Sequence, residues 1–296
     1  MLLHWLPLTL ICALALASAD AATKAWLQEF SARELAVVRL GLTGLLLSPL
    51  LWDLPPLTGL PAAFWGWLAA LVPLELLAML LYMRAIRDHP LSLTLPYLAF
   101  TPVFVMGIAW VLLGEAVTLQ GAGGVFLVVA GAWLLNGERA QAQDWRSWGE
   151  PFRAVVEQPG SRMMLATAAI FALTSTMGKG AMQYMAPEQF GPFYFGVLGL
   201  TVTLVFAVPR PGVFRKFARR PWAVVTVAAL MGIMAYTHFL AIAQVEVAYM
   251  IAVKRISLLF GILYGALLFR ETGLIRRLPA GALMVAGVAL ILVQAQ

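Results

Sequence analysis

Apolar residues in this chain come in long unbroken runs, not in the one-faced stripes of a surface helix or the alternation of a half-buried strand. Runs bounded by Gly, Pro and clustered charge fall at 4–26, 34–52, 63–86, 91–113, 118–136, 162–184, 189–208, 222–244, 247–269 and 276–294. Each approaches the roughly 20 residues a helix needs to cross about 30 Å of hydrocarbon. Of the structures that can span lipid, only a helix pairs every backbone N–H and C=O within one segment. The pattern predicts an all-α polytopic membrane protein with ten transmembrane helices, here called spans 1–10.

Polar residues collect between the runs and are sorted by sign. The connections after spans 1, 3, 5, 7 and 9 hold fifteen Lys and Arg residues, from Arg33 through Arg210, Arg215, Lys216, Arg219 and Arg220 to Arg276 and Arg277. The opposite connections hold Asp53, Glu115, Glu188 and Glu246 and no Lys or Arg. By the positive-inside rule the basic connections are cytoplasmic and both termini face outward, in a bacterial inner membrane. The opening run ends in "ALASAD" but lacks a basic n-region, so it reads as span 1 and not as a signal peptide. In the longest connection Trp145, Trp148, Phe152 and Val155 recur at helical spacing, which fits a short amphipathic helix on the inner surface or a solvated linker. The segment "PRPGVFRKFARRP" is placed against anionic headgroups.

Composition agrees. The chain has 62% hydrophobic and 11% charged residues, against about 25% charged in a soluble domain, and its 296 residues leave no room for a sizeable soluble unit. The surplus of +6 is assigned to the membrane and not to nucleic acid. The single cysteine, Cys12, lies in an apolar run and forms no intramolecular disulfide. There is no HExxH, no GxxxxGK[ST] and no Cys/His cluster, so neither an enzyme nor a bound metal or cofactor is expected.

A shift of 156 residues lays 82–140 on 238–296 without a gap, pairing "VAG" at 129–131 with "VAG" at 285–287 and Glu115 with Glu271. A shift of 155 aligns Lys24 with Lys179 and Gln28 with Gln183. Five helices is an odd number, so the second copy enters the membrane upside down. The expected organisation is a first five-helix repeat over 1–137, a cytoplasmic connection over 138–161 and a second repeat over 162–296, the frame of a secondary transporter.

The stretches "PYLAFTPVFVMGIAWVLLGEAVTLQGAGGVFLVVAG" and "LAIAQVEVAYMIAVKRISLLFGILYGALLFRE", with Arg39 opening span 2, resemble the EamA family of the drug/metabolite transporter superfamily. The resemblance covers nearly the whole chain. It implies a central cavity lined by spans 1, 3, 4, 6, 8 and 9, with spans 5 and 10 as outer supports.

Charges inside spans are the candidate chemistry, because an unpartnered one costs about 2.5–3.5 kcal/mol at the bilayer centre. Lys254 and Arg255 lie about 10–14 Å along span 9 from its end. Adjacent residues point roughly 100° apart, so one is expected to face the cavity and the other a neighbouring helix; the plainer reading is a buried ion pair with Glu75 or Asp20. Glu75, near the middle of span 3, is a proton carrier or a locked counter-ion. Lys24 and Lys179 end the matching spans 1 and 6, where they contact substrate or satisfy backbone groups at a cavity mouth. Tyr82, Tyr97, Tyr236, His238 and Tyr249 offer rings and hydrogen bonds to a ligand, although interface anchoring is the commoner fate of Tyr. Pro96 and Pro102 are candidate hinges in span 4, and Gly261 with Gly265 a packing face on span 9. Lys24, Lys179, Lys254 and Arg255 outnumber Asp20 and Glu75. The balance predicts a small solute bearing a carboxylate or other anionic group, an amino acid or organic acid, moved with or without a coupling proton or other ion. Efflux of cationic or lipophilic compounds through Glu75, and a non-transporting membrane subunit, are the alternatives.

Overall fold

The computed structural model describes residues 4–89, 94, 97–136, 157–269 and 274–294, and among these there is no strand. Spans 1–3 form α1 (Trp5–Trp26), α2 (Ala32–Leu51) and α3 (Ala62–Asp88). Then follow α4 (Thr101–Leu113), α5 (Leu119–Asn136), α6 (Pro159–Ala181) and α7 (Pro187–Ala207). A short α8 (Gly212–Arg219) precedes α9 (Pro221–Ile242), α10 (Val247–Lys254), α11 (Ser257–Phe269) and α12 (Leu274–Gln294). Six of the described segments, α1, α2, α3, α7, α9 and Val247–Tyr264, are long and apolar enough to cross a membrane. The protein is therefore an all-helical, polytopic integral membrane protein. Helix α6 is less apolar because its Gly, Thr and Lys residues are spent on the interior: Thr167, Thr174, Thr176 and Gly178 are all buried.

Local sequence sets the helix ends. Ser31 and Glu34 form a reciprocal capping box at the start of α2, Ser31 N donating to Glu34 Oε2 (2.7 Å) and Glu34 N to Ser31 Oγ (3.3 Å). Gly114, at φ 70°, stops α4 by letting Glu115 N reach Ala109 O (3.2 Å) and Gly114 N reach Trp110 O (3.1 Å).

Three sequence expectations are corrected. Span 9 is not one helix: the chain turns at Arg255 and Ile256, where Arg255 N bonds Ala252 O and Ile256 N bonds Val253 O, both at 3.0 Å. Span 4 turns at Ala99 and Phe100, so the described helix begins at Thr101. Pro102 sits in the first turn of α4, just after that turn, where a missing N–H costs nothing. Gly261 offers no packing face, since a β-carbon there would meet nothing within 4 Å. Pro96, Glu271 and the amphipathic stretch Trp145–Val155 lie outside the described residues.

Helix α1 packs on α9, α10 and α11; α6 packs on α3 and α4; α2 packs on α7 and α5 on α12. Lipid gives apolar helices little reason to associate, so close contact depends on small residues. A β-carbon on Gly131 would lie 2.6 Å from Ala280 O, and one on Gly287 2.6 Å from Gly124 O. On the face of the basic connections α8 is held to the α1–α2 turn: Phe217 stacks on Phe30 at 5.9 Å, and Lys216 Nζ meets Glu34 Oε1 at 2.8 Å.

Candidate functional site

Within the bundle lies a cavity of about 110 Å³, lined by residues of α1, α3, α4, α6, α7, α9 and α10 together with Arg39 of α2, Leu98 and Arg255. Its charged lining consists of Arg39, Glu75, Lys254 and Arg255, beside the polar groups of Tyr82, Thr101, Thr174, Ser175, Tyr194 and His238.

Arg39 is delivered by a distortion. Helix α2 widens to a π-helix over Val37–Leu42, which turns Arg39 inward (1% exposed) while Leu45 (66% exposed) stays on the outer surface. Its Nη2 pairs with Asp20 Oδ1 of α1. Asp20 Oδ2 accepts from Tyr82 Oη of α3 at 3.1 Å, and the Arg39 guanidinium lies 5.9 Å from the centre of the Tyr82 ring. One polar node thus ties α1, α2 and α3 at the cavity wall. Arg39 Nε has no hydrogen-bond partner.

Lys254 ends α10 and points its ammonium at Met234 Sδ (3.5 Å) and His238 Nδ1 (3.4 Å) of α9. Arg255, one residue on in the turn, is 5% exposed, and its Nε also lacks a partner. Glu75 is half-buried and faces the Thr174 hydroxyl and Lys254. The Tyr194 hydroxyl, near Glu75, is buried without a partner.

The structure gathers Lys254, Arg255, Tyr82, His238 and Glu75 around the cavity and keeps the other expected residues out of its lining. Asp20 is the partner of Arg39, not of Lys254 or Arg255. Lys179 is drawn away by an ion pair with Glu115 (Nζ–Oε1, 2.5 Å) and by Val245 O (2.7 Å). Lys24 is exposed at the end of α1. Tyr249 turns its hydroxyl to Thr118 N (3.3 Å) at the start of α5. Tyr97 packs edge-on against Trp133 at 5.4 Å, and Tyr236 does not line the cavity. Arg39 and Tyr194 are among the lining residues that sequence reasoning did not place in the cavity. Arg39 was detectable as a lone cation inside the apolar run "VVRLGL"; Tyr194 carried no signal beyond standing 155 residues after it.

An apolar helical bundle with a cavity lined by charged side chains has the build of a membrane transporter. A model of the EamA-like transporter family matches residues 3–137. Over 73 residues, 25% of this chain and 68% of the relative, the sequence is 34% identical to the probable 4-amino-4-deoxy-L-arabinose-phosphoundecaprenol flippase subunit ArnE of Enterobacter sp. (strain 638). A crystal structure matches 98% of this chain and 97% of its own, at TM-score 0.68 and 16% identity, a likeness of fold alone. The chain belongs to the EamA-like transporter family, part of the drug/metabolite transporter superfamily.

Proposed function

We propose that this protein is a ten-helix secondary transporter of two inverted five-helix halves, 1–137 and 162–296, which open the cavity alternately to either side. Its solute is a small polar metabolite bearing a carboxylate, an amino acid or organic acid. One observation carries the choice of solute: Arg255 is buried on the cavity wall with Nε unpartnered, in company with Lys254 and Arg39. A buried donor left without a partner costs about 1–3 kcal/mol, a cost that an anionic solute removes. Arg39, Lys254 and Arg255 against Asp20 and Glu75 also leave the site one positive charge in excess.

Reciprocal contacts support the inverted halves. Adding 156 converts Gly131 to Gly287 and Gly124 to Ala280, and Gly131 meets Ala280 as Gly287 meets Gly124. Each residue of one half meets the counterpart of its partner, as a two-fold relation between α5 and α12 requires. Asp20, Arg39 and Tyr82 likewise correspond to Ser175, Tyr194 and His238, at shifts of 155, 155 and 156, and the turns at 99–100 and 255–256 correspond at 156. The charge sorting supports termini on the outer side of a bacterial inner membrane. In this reading Lys254 and Arg255 hold the anion, Tyr82 encloses its apolar part, and Glu75 couples a proton to movement.

Uptake of labelled amino acids and organic acids into proteoliposomes tests the assignment. Arg255→Met and Lys254→Met are expected to lower uptake at least about tenfold, the loss of one charge-assisted contact; uptake unchanged in both variants removes it. The name of the Enterobacter relative favours a second reading, in which the anion is the phosphate of a lipid-linked sugar and the chain is a flippase subunit. Movement of a fluorescent polyprenyl phosphate, with no uptake of soluble acids, would select that reading.

A further inference from the structure

On the face of the acidic connections, four backbone and side-chain groups close a ring that the cavity itself does not explain. Glu115 leaves α4 just after Gly114, whose left-handed turn aims the carboxylate across the bundle. Glu115 Oε2 accepts from Val247 N (2.9 Å), the first N–H of α10, so a carboxylate from one half caps a helix of the other. Glu115 Oε1 pairs with Lys179 Nζ at the end of α6 (2.5 Å), and Lys179 donates to Val245 O in the turn before α10 (2.7 Å). Two residues further along α10, Tyr249 reaches Thr118 N (3.3 Å). The ion pair is sheltered, at 21% and 15% exposure.

What these contacts hold is a short lever. Helix α10 is eight residues long, about 12 Å at helical rise. Its first N–H is fixed by Glu115, and its last residue is Lys254. The turn at Arg255–Ile256 separates it from α11, and its residues Val247 to Val253 are buried against neighbouring helices. The contacts gathered at its N-terminal end join segments more than 60 residues apart in sequence.

We propose that Glu115 and Lys179 are the gate on the acidic-connection face, that α10 is the arm they hold, and that releasing it opens the cavity to that face. The proposal goes beyond the transport reading and uses no solute, so the identity of the cargo does not bear on its test.

The test uses the full chain in proteoliposomes with Cys12→Ala and a reporter, Ser175→Cys, on the cavity wall. Modification by the membrane-impermeant, permanently charged 2-(trimethylammonium)ethyl methanethiosulfonate is timed. Companion proteins with Thr58→Cys in the α2–α3 connection or Arg215→Cys in α8 show which face the reagent reaches. Glu115→Ala and Lys179→Met are expected to speed modification from the acidic-connection face about tenfold, within the usual range of coupling between a restraint and a two-state equilibrium. Lys179→Arg is expected to stay as slow as the parent. Glu115→Gln, which keeps an acceptor for Val247 N but loses the charge, should fall between. Rates unchanged in both Glu115→Ala and Lys179→Met, with Thr58→Cys still modified, overturn the proposal. Should those two variants fail to fold, Tyr249→Phe decides: it deletes only the hydroxyl at Thr118, and a rate equal to the parent's counts against the gate as a faster one counts for it.

Discussion

Replacing Asp20 by alanine removes one carboxylate and leaves the Arg39 guanidinium facing a low-dielectric wall. Arg39 is 1% exposed, so the charge cannot reach water by a change of rotamer. Removing one partner of a buried pair costs about 3–5 kcal/mol. Asp20 is itself 34% exposed, so water can enter where the carboxylate stood, which places Asp20→Ala near the lower end, about 3 kcal/mol, including the bond lost by Tyr82. That amounts to roughly a hundredfold in the folded-to-unfolded ratio. The converse change, Arg39→Met, leaves a carboxylate that solvent can reach and should cost about 1–2 kcal/mol. The double variant, with no orphaned charge, should be more stable than Asp20→Ala alone. Unfolding in mixed detergent micelles, read by tryptophan fluorescence on all three variants, measures these differences. If Asp20→Ala proves no less stable than the double variant, the Asp20–Arg39 contact does not compensate a buried charge and the account of the α1–α2–α3 node is wrong.

At the α5–α12 contact, Gly131→Val should destabilise by about 1–3 kcal/mol because a β-carbon meets Ala280 O at 2.6 Å; the same unfolding assay should find Gly261→Ala neutral or stabilising by up to about 1 kcal/mol, because no atom lies within 4 Å. Arg255→Met should keep or raise thermal stability, since it deletes an unpartnered buried donor, while abolishing any upward shift of melting temperature by anionic ligands; a shift that survives the substitution counts against the anion assignment. On the face of the basic connections, Lys216→Ala should cost less than about 1 kcal/mol, because the lysine of its pair with Glu34 is 45% exposed and screened by solvent.

Several features of the site were legible in the chain. Lys254, Arg255 and Glu75 declare themselves because any ionised group deep in an apolar run needs a reason to be there, and all three line the cavity. Lys179 and Tyr249 stand near helix ends, where a charge or ring has several possible partners, and they meet Glu115 and Val245 O, and Thr118, respectively. Glu115 stood out only as the repeat counterpart of Glu271, and nothing in "LLGEAV" shows that it caps a helix beginning 132 residues later.

The sequence by itself determined that this is a helical membrane protein, where most of its helices run, and how its connections are sorted by charge. These follow from the cost of unpaired backbone and of charge in hydrocarbon, which acts on each segment without reference to the others. Only the tertiary structure decided that Arg39 meets Asp20, that Lys179 meets Glu115, and that Lys254 and Arg255 stand at a break in their span. Those outcomes depend on how each helix is rotated about its axis and on which neighbour it touches. In this chain one π-helical segment and one turn at Arg255–Ile256 changed those rotations, and neither leaves a mark in the apolar pattern.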